Sequence, residues 1–228
     1  MLEIGCGRGA MGAILAREFD YSAVEPDRES FEAAARLLDG RVRHAVDTDV
    51  SETFDVVCAF EVLEHIEDDE AALRRWRRLV TPGGALILSV PAHQRLYGAV
   101  DERVGHFRRY EPDLLTTLLE DAGFGNVDAR MYGFGIGHAV RWGASLLARG
   151  GGSMEERTAE SGRWLQPRGR TATLRRVVAA PFALAQRPLE RTTLGTGIVV
   201  RAINTDTRGQ GQSLSSAGAL SAGQETTN

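Results

Sequence analysis

The chain has 228 residues, of which 43% are apolar and 25% charged, so it is long enough to bury one full hydrophobic core. Its formal net charge of -4 provides no overall basic field for a phosphate backbone, and we expect no nucleic-acid partner. No apolar run reaches the roughly 18 to 20 residues that span a bilayer, which predicts no transmembrane segment. Cys6 and Cys58 lie in apolar, strand-like stretches typical of buried free thiols, which favours a reducing, cytoplasmic location.

Short apolar runs alternate with stretches of helical period between residues 2 and 90. This alternation is typical of β-α-β units and of a mostly parallel sheet. The predicted strands span residues 2–6, 21–24, 41–46, 54–60 and 85–90. The predicted helices span residues 10–18, 29–38 and 68–80.

The pattern loosens after Pro91. Residues 92–110 follow neither period and are predicted to form a functional loop, before a helix over residues 112–122. A sixth strand is expected over residues 127–132 and a last strand over residues 196–203.

The segment between these last two strands, residues 133–193, is rich in Gly, Arg and Ala and is predicted to be a helical insert or lid. Residues 205–228 contain almost nothing to bury, which predicts a disordered tail. The folded domain is therefore expected to span residues 1–204.

A glycine-rich turn joins the first predicted strand to the first helix. Gly5, Gly7 and Gly9 have no Cβ, so the backbone there can adopt positive φ and approach a ligand closely. The spacing from Gly7 to Gly12 also matches the dinucleotide fingerprint, so the turn alone does not distinguish between nucleotide cofactors. A purely structural tight turn is the alternative.

Two acids end neighbouring strands of the predicted sheet. Glu25 follows Gly5 by 20 residues and ends the second strand, where a carboxylate can accept bonds from both ribose hydroxyls. Asp47 ends the third strand and could accept from an adenine amino group. Open parallel sheets bind ligands at the carboxyl ends of their strands, so these positions together predict a nucleoside cofactor.

On these residues the chain resembles a class I S-adenosylmethionine-dependent methyltransferase of the group that includes the ubiquinone-biosynthesis O-methyltransferases. The matching stretches are residues 2–9, 23–27, 46–47, 54–66 and 79–91, with a final match at 118–124. The resemblance implies an α/β fold, in which a Rossmann-like, doubly wound, mostly parallel seven-stranded sheet has an antiparallel last strand. Such proteins usually carry a helix before the first strand, and one hypothesis is that this chain is a shortened form of a longer enzyme.

The resemblance also implies S-adenosyl-L-methionine as the methyl donor. Glu3 and the glycine turn would lie near its methionine part, Glu25 would hold the ribose, and Asp47 would face the adenine. The implied cofactor-binding residues are Glu3, Gly5, Cys6, Gly7, Gly9, Glu25, Pro26, Asp47 and Phe60.

Methyl transfer requires little from a protein, because the sulfonium is already activated and positioning can supply most of the acceleration. A hydroxyl acceptor would still benefit from a base; His65, His93 and His106 are candidates, and His65 and His106 are the predicted catalytic residues. We therefore predict O-methylation of a small-molecule acceptor. The alternatives are a nicotinamide-dependent oxidoreductase and a non-catalytic protein that binds S-adenosylmethionine.

The stretch Glu61-x-x-Glu64-His65 follows the fourth strand. Similar acid-acid-histidine sets bind a divalent ion in some O-methyltransferases, so Glu61, Glu64 and His65 are candidate metal ligands and magnesium is a second candidate cofactor. The alternative is that the stretch shapes the pocket and caps a helix without any metal.

The segment Gly105 to Tyr110 precedes the next helix. Guanidinium groups of Arg108 and Arg109 could clamp an anionic acceptor, whereas the alternative is a solvated basic turn beside a packed Tyr110. The predicted substrate-binding residues are His93, Tyr97, Arg108, Arg109 and Tyr110.

Overall fold

The computed structural model describes residues 1–134 and 192–206. The insert predicted over residues 133–193 therefore lies outside the described residues except for its first two and last two residues. All but the first two residues of the tail predicted over 205–228 also lie outside them. These two predictions stay predictions.

Seven strands form one sheet. They are β1 (Leu2–Ile4), β2 (Ser22–Glu25), β3 (Val42–His44), β4 (Phe54–Phe60), β5 (Val80–Pro91), β6 (Phe124–Tyr132) and β7 (Gly197–Asn204). Their order is β3-β2-β1-β4-β5-β7-β6, and β1 to β5 pair in parallel. β7 runs antiparallel to both of its neighbours, β5 and β6. This arrangement confirms the predicted Rossmann-like, mostly parallel sheet with an antiparallel last strand.

The helices of the described residues are α1 (Gly12–Leu15), α2 (Arg28–Leu38), α3 (Asp69–Leu79), α4 (Ala99–Val104) and α5 (Pro112–Asp121). Two aspartates cap α2 and α3, because Asp27 accepts from the backbone of Ser30 and Asp68 accepts from that of Ala71. None of these described helices is both long and apolar enough to cross a membrane.

Several predicted bounds differ from the structure: β5 begins at Val80 and β6 at Phe124, five and three residues before the predicted strands. The helix predicted over residues 10–18 is the single turn α1, because the amides of Arg17 and Glu18 bond three residues back instead of four. The loop predicted over residues 92–110 contains α4 and a 3₁₀ turn, Gln94–Leu96. A six-residue helix is too short to leave a periodic apolar signal, so tertiary contacts decide its formation.

Helices cover both faces of the sheet, and each face has its own core. The larger core surrounds Trp76, which is fully buried on α3, and extends to Leu115 and Leu119 of α5. The smaller core lies between β2, β3 and α2 and includes Tyr21 and Cys6. Cys6 and Cys58 are both buried free thiols, as the sequence predicts.

Candidate functional site

The glycine turn follows β1 at the centre of the sheet. Gly5, Gly7 and Gly9 have φ values of 69°, 55° and 81°, a backbone region that glycine adopts without strain. The amide of Gly5 donates to the carbonyl of Val24 at 2.9 Å, which holds the turn against β2. The strand-turn-helix arrangement predicted for a cofactor loop is therefore present.

The glycines of this turn have different surroundings. A Cβ at Gly9 would lie 2.9 Å from Leu38 Cδ1, and one at Gly12 would lie 2.3 Å from the Tyr21 hydroxyl. A Cβ at Gly7 would meet nothing within 4 Å. Gly9 and Gly12 are therefore required for packing, whereas Gly7 faces space in which a ligand can approach the backbone.

Glu25 lies beside this turn, as predicted. It is 6% exposed, and its carboxylate accepts from the amide of Gly7 at 2.7 Å and from the amide of Asp27 at 2.9 Å. Burial raises the pKa of Glu25, and the two amide bonds oppose this rise. The carboxylate thus connects the glycine turn to the turn after β2, where the carbonyl of Pro26 contacts His44 Nε2 at 3.0 Å. The ribose-binding role of Glu25 stays a prediction.

Glu3 is buried in the middle of β1 at 2% exposure. Its carboxylate accepts a short hydrogen bond from the hydroxyl of Tyr21. Burial raises the pKa of Glu3 to about 7; the Tyr21 bond opposes the rise and the negative charge of Glu25 adds to it. Sequence reasoning missed Tyr21, because only the fold places its hydroxyl against Glu3.

Asp47 begins a 3₁₀ turn, Asp47–Asp49, three residues after β3, rather than ending the strand as predicted, and Phe60 is the last residue of β4. One carboxylate oxygen of Asp47 accepts from Trp76 Nε1 at 2.7 Å and from Arg75 Nε at 3.3 Å. These bonds connect the turn after β3 to α3. They give Asp47 a structural role, and its contact with adenine stays a prediction.

A second group of polar side chains follows β4. Glu61 adopts a φ of 56°, and its Oε1 accepts from Ser89 Oγ at 2.8 Å and from the Tyr132 hydroxyl at 2.7 Å. A Cβ at Gly197 would lie 2.3 Å from the Tyr132 ring, so this glycine of β7 makes room for the ring. Ser89 and Tyr132 were not predicted, because their strands meet Glu61 only in the folded sheet.

The next residues bring both predicted catalytic histidines together with Glu64. The rings of His65 and His106 pack edge to face, with centroids 4.6 Å apart. His65 Nδ1 bonds the carbonyl of Gly105 at 3.2 Å, and His106 Nδ1 bonds Asp101 Oδ1 at 3.1 Å. One ligand atom from each of Glu64, His65 and His106 lies within 4.8 Å of the other two.

This group is largely buried. Burial, followed by the neighbouring His106, lowers the pKa of His65 to about 4. Burial raises the pKa of Glu64, and the charge of Glu61 adds to the rise. A cation bound among these side chains would therefore favour the ionised form of Glu64.

The two predicted arginine clamps have partners within the protein. Arg108 lies 2.6 Å from Asp69 Oδ2 and also donates to the carbonyl of Glu67 at 2.6 Å. Arg109 is 9% exposed, lies 2.6 Å from Asp101 Oδ1 and donates to the carbonyl of Ala92. Both guanidinium groups hold the segment after β5 in place, and their binding of an acceptor stays a prediction.

The other predicted acceptor residues also have partners in this segment. The Tyr110 hydroxyl donates to Asp69 at 2.9 Å, and the Tyr97 hydroxyl donates to the carbonyl of His106 at 2.8 Å. His93, at a φ of 65°, hydrogen-bonds Glu111 at 2.9 Å through Nδ1. These bonds connect the segment to itself and to α3; substrate contacts by these residues stay predictions.

The sheet order and the glycine turn at its centre define a Rossmann-like α/β domain with a cofactor edge. A family profile described as a methyltransferase domain matches residues 1–129, more than half of the chain. The chain belongs to this methyltransferase-domain family.

Individual relatives are similar over shorter or longer stretches. A probable S-adenosylmethionine-dependent methyltransferase of Mycobacterium tuberculosis is 32% identical over 165 residues, which cover 68% of this chain and 57% of that protein. A ubiquinone biosynthesis O-methyltransferase of Bradyrhizobium sp. is 35% identical over 98 residues, 39% of this chain and 38% of that protein. The chain thus spans little more than half the length of the mycobacterial relative.

A solved structure from Thermotoga maritima, a SAM-dependent methyltransferase described as a possible histamine N-methyltransferase, has the same fold. It aligns with a TM-score of 0.57 over 89% of this chain and 80% of its own, at 19% identity. At this identity the likeness concerns the fold alone.

Proposed function

We propose that the chain is an S-adenosylmethionine-dependent methyltransferase that acts on a small-molecule acceptor, with oxygen as the methyl-accepting atom. The observation that carries this proposal is the open space at Gly7, beside Glu25, in a turn whose other glycines are required for packing. Membership of the methyltransferase-domain family supports methyl transfer over nicotinamide chemistry. The cytoplasmic location and the absence of a nucleic-acid partner stay predictions from composition.

The electrostatics of the turn suit a cationic donor. Glu3 and Glu25 are both buried beside it, and each carboxylate is costly to ionise there because burial raises its pKa. A sulfonium and an ammonium group would favour the ionised carboxylates and be stabilised by them in return. We therefore assign the donor's positively charged methionine part to the region of Glu3, and its ribose to Glu25.

The oxygen acceptor is proposed from the ubiquinone biosynthesis O-methyltransferase among the relatives. A hydroxyl must lose its proton as it receives the methyl group, and an imidazole can accept that proton. His65 and His106 are the proposed bases. In each ring Nδ1 faces an oxygen acceptor and so carries the proton, which leaves the lone pair of the neutral imidazole on Nε2. His93 is a third candidate, because its Nδ1 is held by Glu111 in the same manner.

Calorimetric titration of the full chain with S-adenosylmethionine tests the donor site. Gly7→Arg would fill the open space and Glu25→Ala would remove the ribose ligand, and each is expected to weaken binding at least about tenfold. Gly40→Arg is a matched control, because Gly40 also has a positive φ, of 76°, and open space around it. Undetectable binding by the folded wild-type chain, or equal binding by Gly7→Arg, would refute the donor site.

Mass spectrometry separates an enzyme from a non-catalytic binder. A cell extract incubated with the chain and a methyl-labelled donor is expected to yield one or more labelled metabolites, with the label on oxygen. Donor binding without any labelled product would favour the non-catalytic alternative, and a label on nitrogen would refute the acceptor atom.

The magnesium ion predicted at Glu61, Glu64 and His65 does not fit these side chains. Magnesium prefers six oxygen ligands in near-ideal octahedral geometry. Glu61 directs its Oε1 to Ser89 and Tyr132, and the ligand atoms that converge belong to Glu64 and two imidazoles. We derive no step of the reaction through magnesium.

A further inference from the structure

The group formed by Glu64, His65 and His106 has an unusual buried carboxylate. Glu64 is 0% exposed, and neither of its carboxylate oxygens has a hydrogen-bond partner. A buried carboxylate without partners is costly, so such groups are normally hydrogen-bonded, neutralised or bound to a metal. The imidazole atom His106 Nε2 lies 3.7 Å from Glu64 Oε1, which is beyond hydrogen-bond distance.

That separation fits two ligands of one ion. Metal–nitrogen and metal–oxygen bonds of about 2.0 to 2.2 Å place neighbouring ligand atoms about 3 to 4 Å apart. One carboxylate oxygen and two imidazole nitrogens, all within 4.8 Å of one another, therefore need only a small adjustment to surround a cation.

Both imidazoles are held as metal-binding histidines usually are. A ligating histidine typically donates its other N–H to a carboxylate or a backbone carbonyl, which sets the ring's tautomer and direction. His106 Nδ1 has the Asp101 carboxylate at 3.1 Å, and His65 Nδ1 has the Gly105 carbonyl at 3.2 Å. Each ring is thereby left with Nε2 as the ligand atom.

The two segments that carry these residues are also fixed to each other. The amide of Phe107 donates to the carbonyl of Glu64 at 2.8 Å, directly beside the ligand group. Arg109 pairs with Asp101 at 2.6 Å and so balances the charge of the carboxylate behind His106. The ligand atoms are therefore positioned by the fold before any ion enters.

We propose that Glu64, His65 and His106 bind one first-row transition-metal ion with the ligand preference of Zn²⁺. Two imidazoles and one carboxylate suit zinc, cobalt or iron(II), whereas magnesium and calcium prefer sets of oxygen ligands. Three protein ligands leave at least one coordination position for water or an oxygen atom of an acceptor. Ion binding takes the Nε2 lone pairs of His65 and His106, so the metal-bound protein leaves His93 as the proposed base. Ion binding is measured without donor or acceptor, so its failure is distinguishable from failure of the proposed methyl transfer.

Cobalt(II) titration of the chelator-treated, tag-free full chain tests this site. We expect one equivalent of Co²⁺ to bind with visible absorption bands, Zn²⁺ to displace it, and a large excess of Mg²⁺ to leave it in place. His65→Gln and His106→Gln should each weaken binding at least about tenfold. His44→Gln is the control, because His44 is an exposed histidine on the other side of β1 and should not change the affinity.

Glu64→Gln provides a second readout on the same protein. Glutamine keeps the shape of the side chain and removes the anionic ligand, so we expect it to lose the stabilisation that Zn²⁺ gives the wild type in thermal unfolding. If Glu64→Gln does not fold, the metal affinities of His65→Gln and His106→Gln decide the test. The absence of stoichiometric Co²⁺ or Zn²⁺ binding, or unchanged affinity in both imidazole variants, would overturn the proposal.

Discussion

Replacement of Glu3 by Gln should change how the stability of the protein depends on pH. Glu3 is 2% exposed within β1, and its carboxylate accepts from the Tyr21 hydroxyl. Glutamine keeps an acceptor for that hydroxyl and removes the ionisable group. The substitution therefore isolates the effect of the Glu3 charge from that of its packing.

The expected magnitude comes from the pKa of Glu3, which burial raises from 4.5 to about 7. Between these values the folded chain keeps a proton that the unfolded chain releases, so the free energy of unfolding falls as pH rises. The difference of about 2.5 pKa units, at 1.36 kcal/mol for each, gives a contribution of about 3 kcal/mol. It is fully present below pH 4.5 and is lost as pH rises through about 7.

Urea unfolding followed by circular dichroism, at pH values from 4.5 to 8, measures this contribution. The stability of Glu3→Gln relative to wild type should increase with pH, by about 3 kcal/mol over the range. The exposed Glu18→Gln is the control and should follow the wild-type curve. Parallel curves for Glu3→Gln and wild type would show that Glu3 ionises in the folded protein as it does in the unfolded chain, and the reasoning would be refuted.

Three further substitutions test the packing around the site. Gly9→Ala should lower the free energy of unfolding by about 1 to 3 kcal/mol in chemical denaturation, because Gly9 has a φ of 81° and a Cβ there would contact α2. Gly40→Ala, in open space, should cost less stability, and equal costs for the two variants would contradict this reasoning. Trp76→Phe should cost about 1 to 2 kcal/mol by the same assay through loss of the indole bond to the turn after β3; an unchanged stability would contradict this. Arg109→Met should lower the free energy of unfolding by about 3 to 5 kcal/mol in thermal and urea unfolding, because Asp101 stays buried without its arginine. A decrease of less than about 1 kcal/mol would argue against a stabilising ion pair.

The apolar pattern was sufficient to predict the sheet but not all of its helices. Strand β4 is apolar except for Asp55, a composition typical of a parallel strand covered on both faces, and its predicted bounds agree with the structure. The period over residues 10–18 predicted an apolar helical face, yet Met11 and Ile14 are 45% and 47% exposed and the helix is one turn long. Local periodicity is a weak guide where a segment has few packing partners.

The candidate donor site was predictable to the extent that it depends on strand ends. Because the carboxyl ends of parallel strands share one edge, the sequence alone placed Glu25 beside the glycine turn, and the structure has it 2.7 Å from the Gly7 amide. The different surroundings of Gly7 and Gly9 could not be predicted, since α2 approaches Gly9 only in the folded chain.

Long-range partners were decided by the tertiary structure alone. Tyr21 reaches Glu3, Tyr132 reaches Glu61, and Asp101 reaches His106, because strand order and the path of residues 92–110 bring them together. The sequence by itself determined the fold class and the cofactor edge, since both follow from local period and strand termini. The pairing of buried polar groups depends on register and on the docking of segments, and no local pattern contains that information.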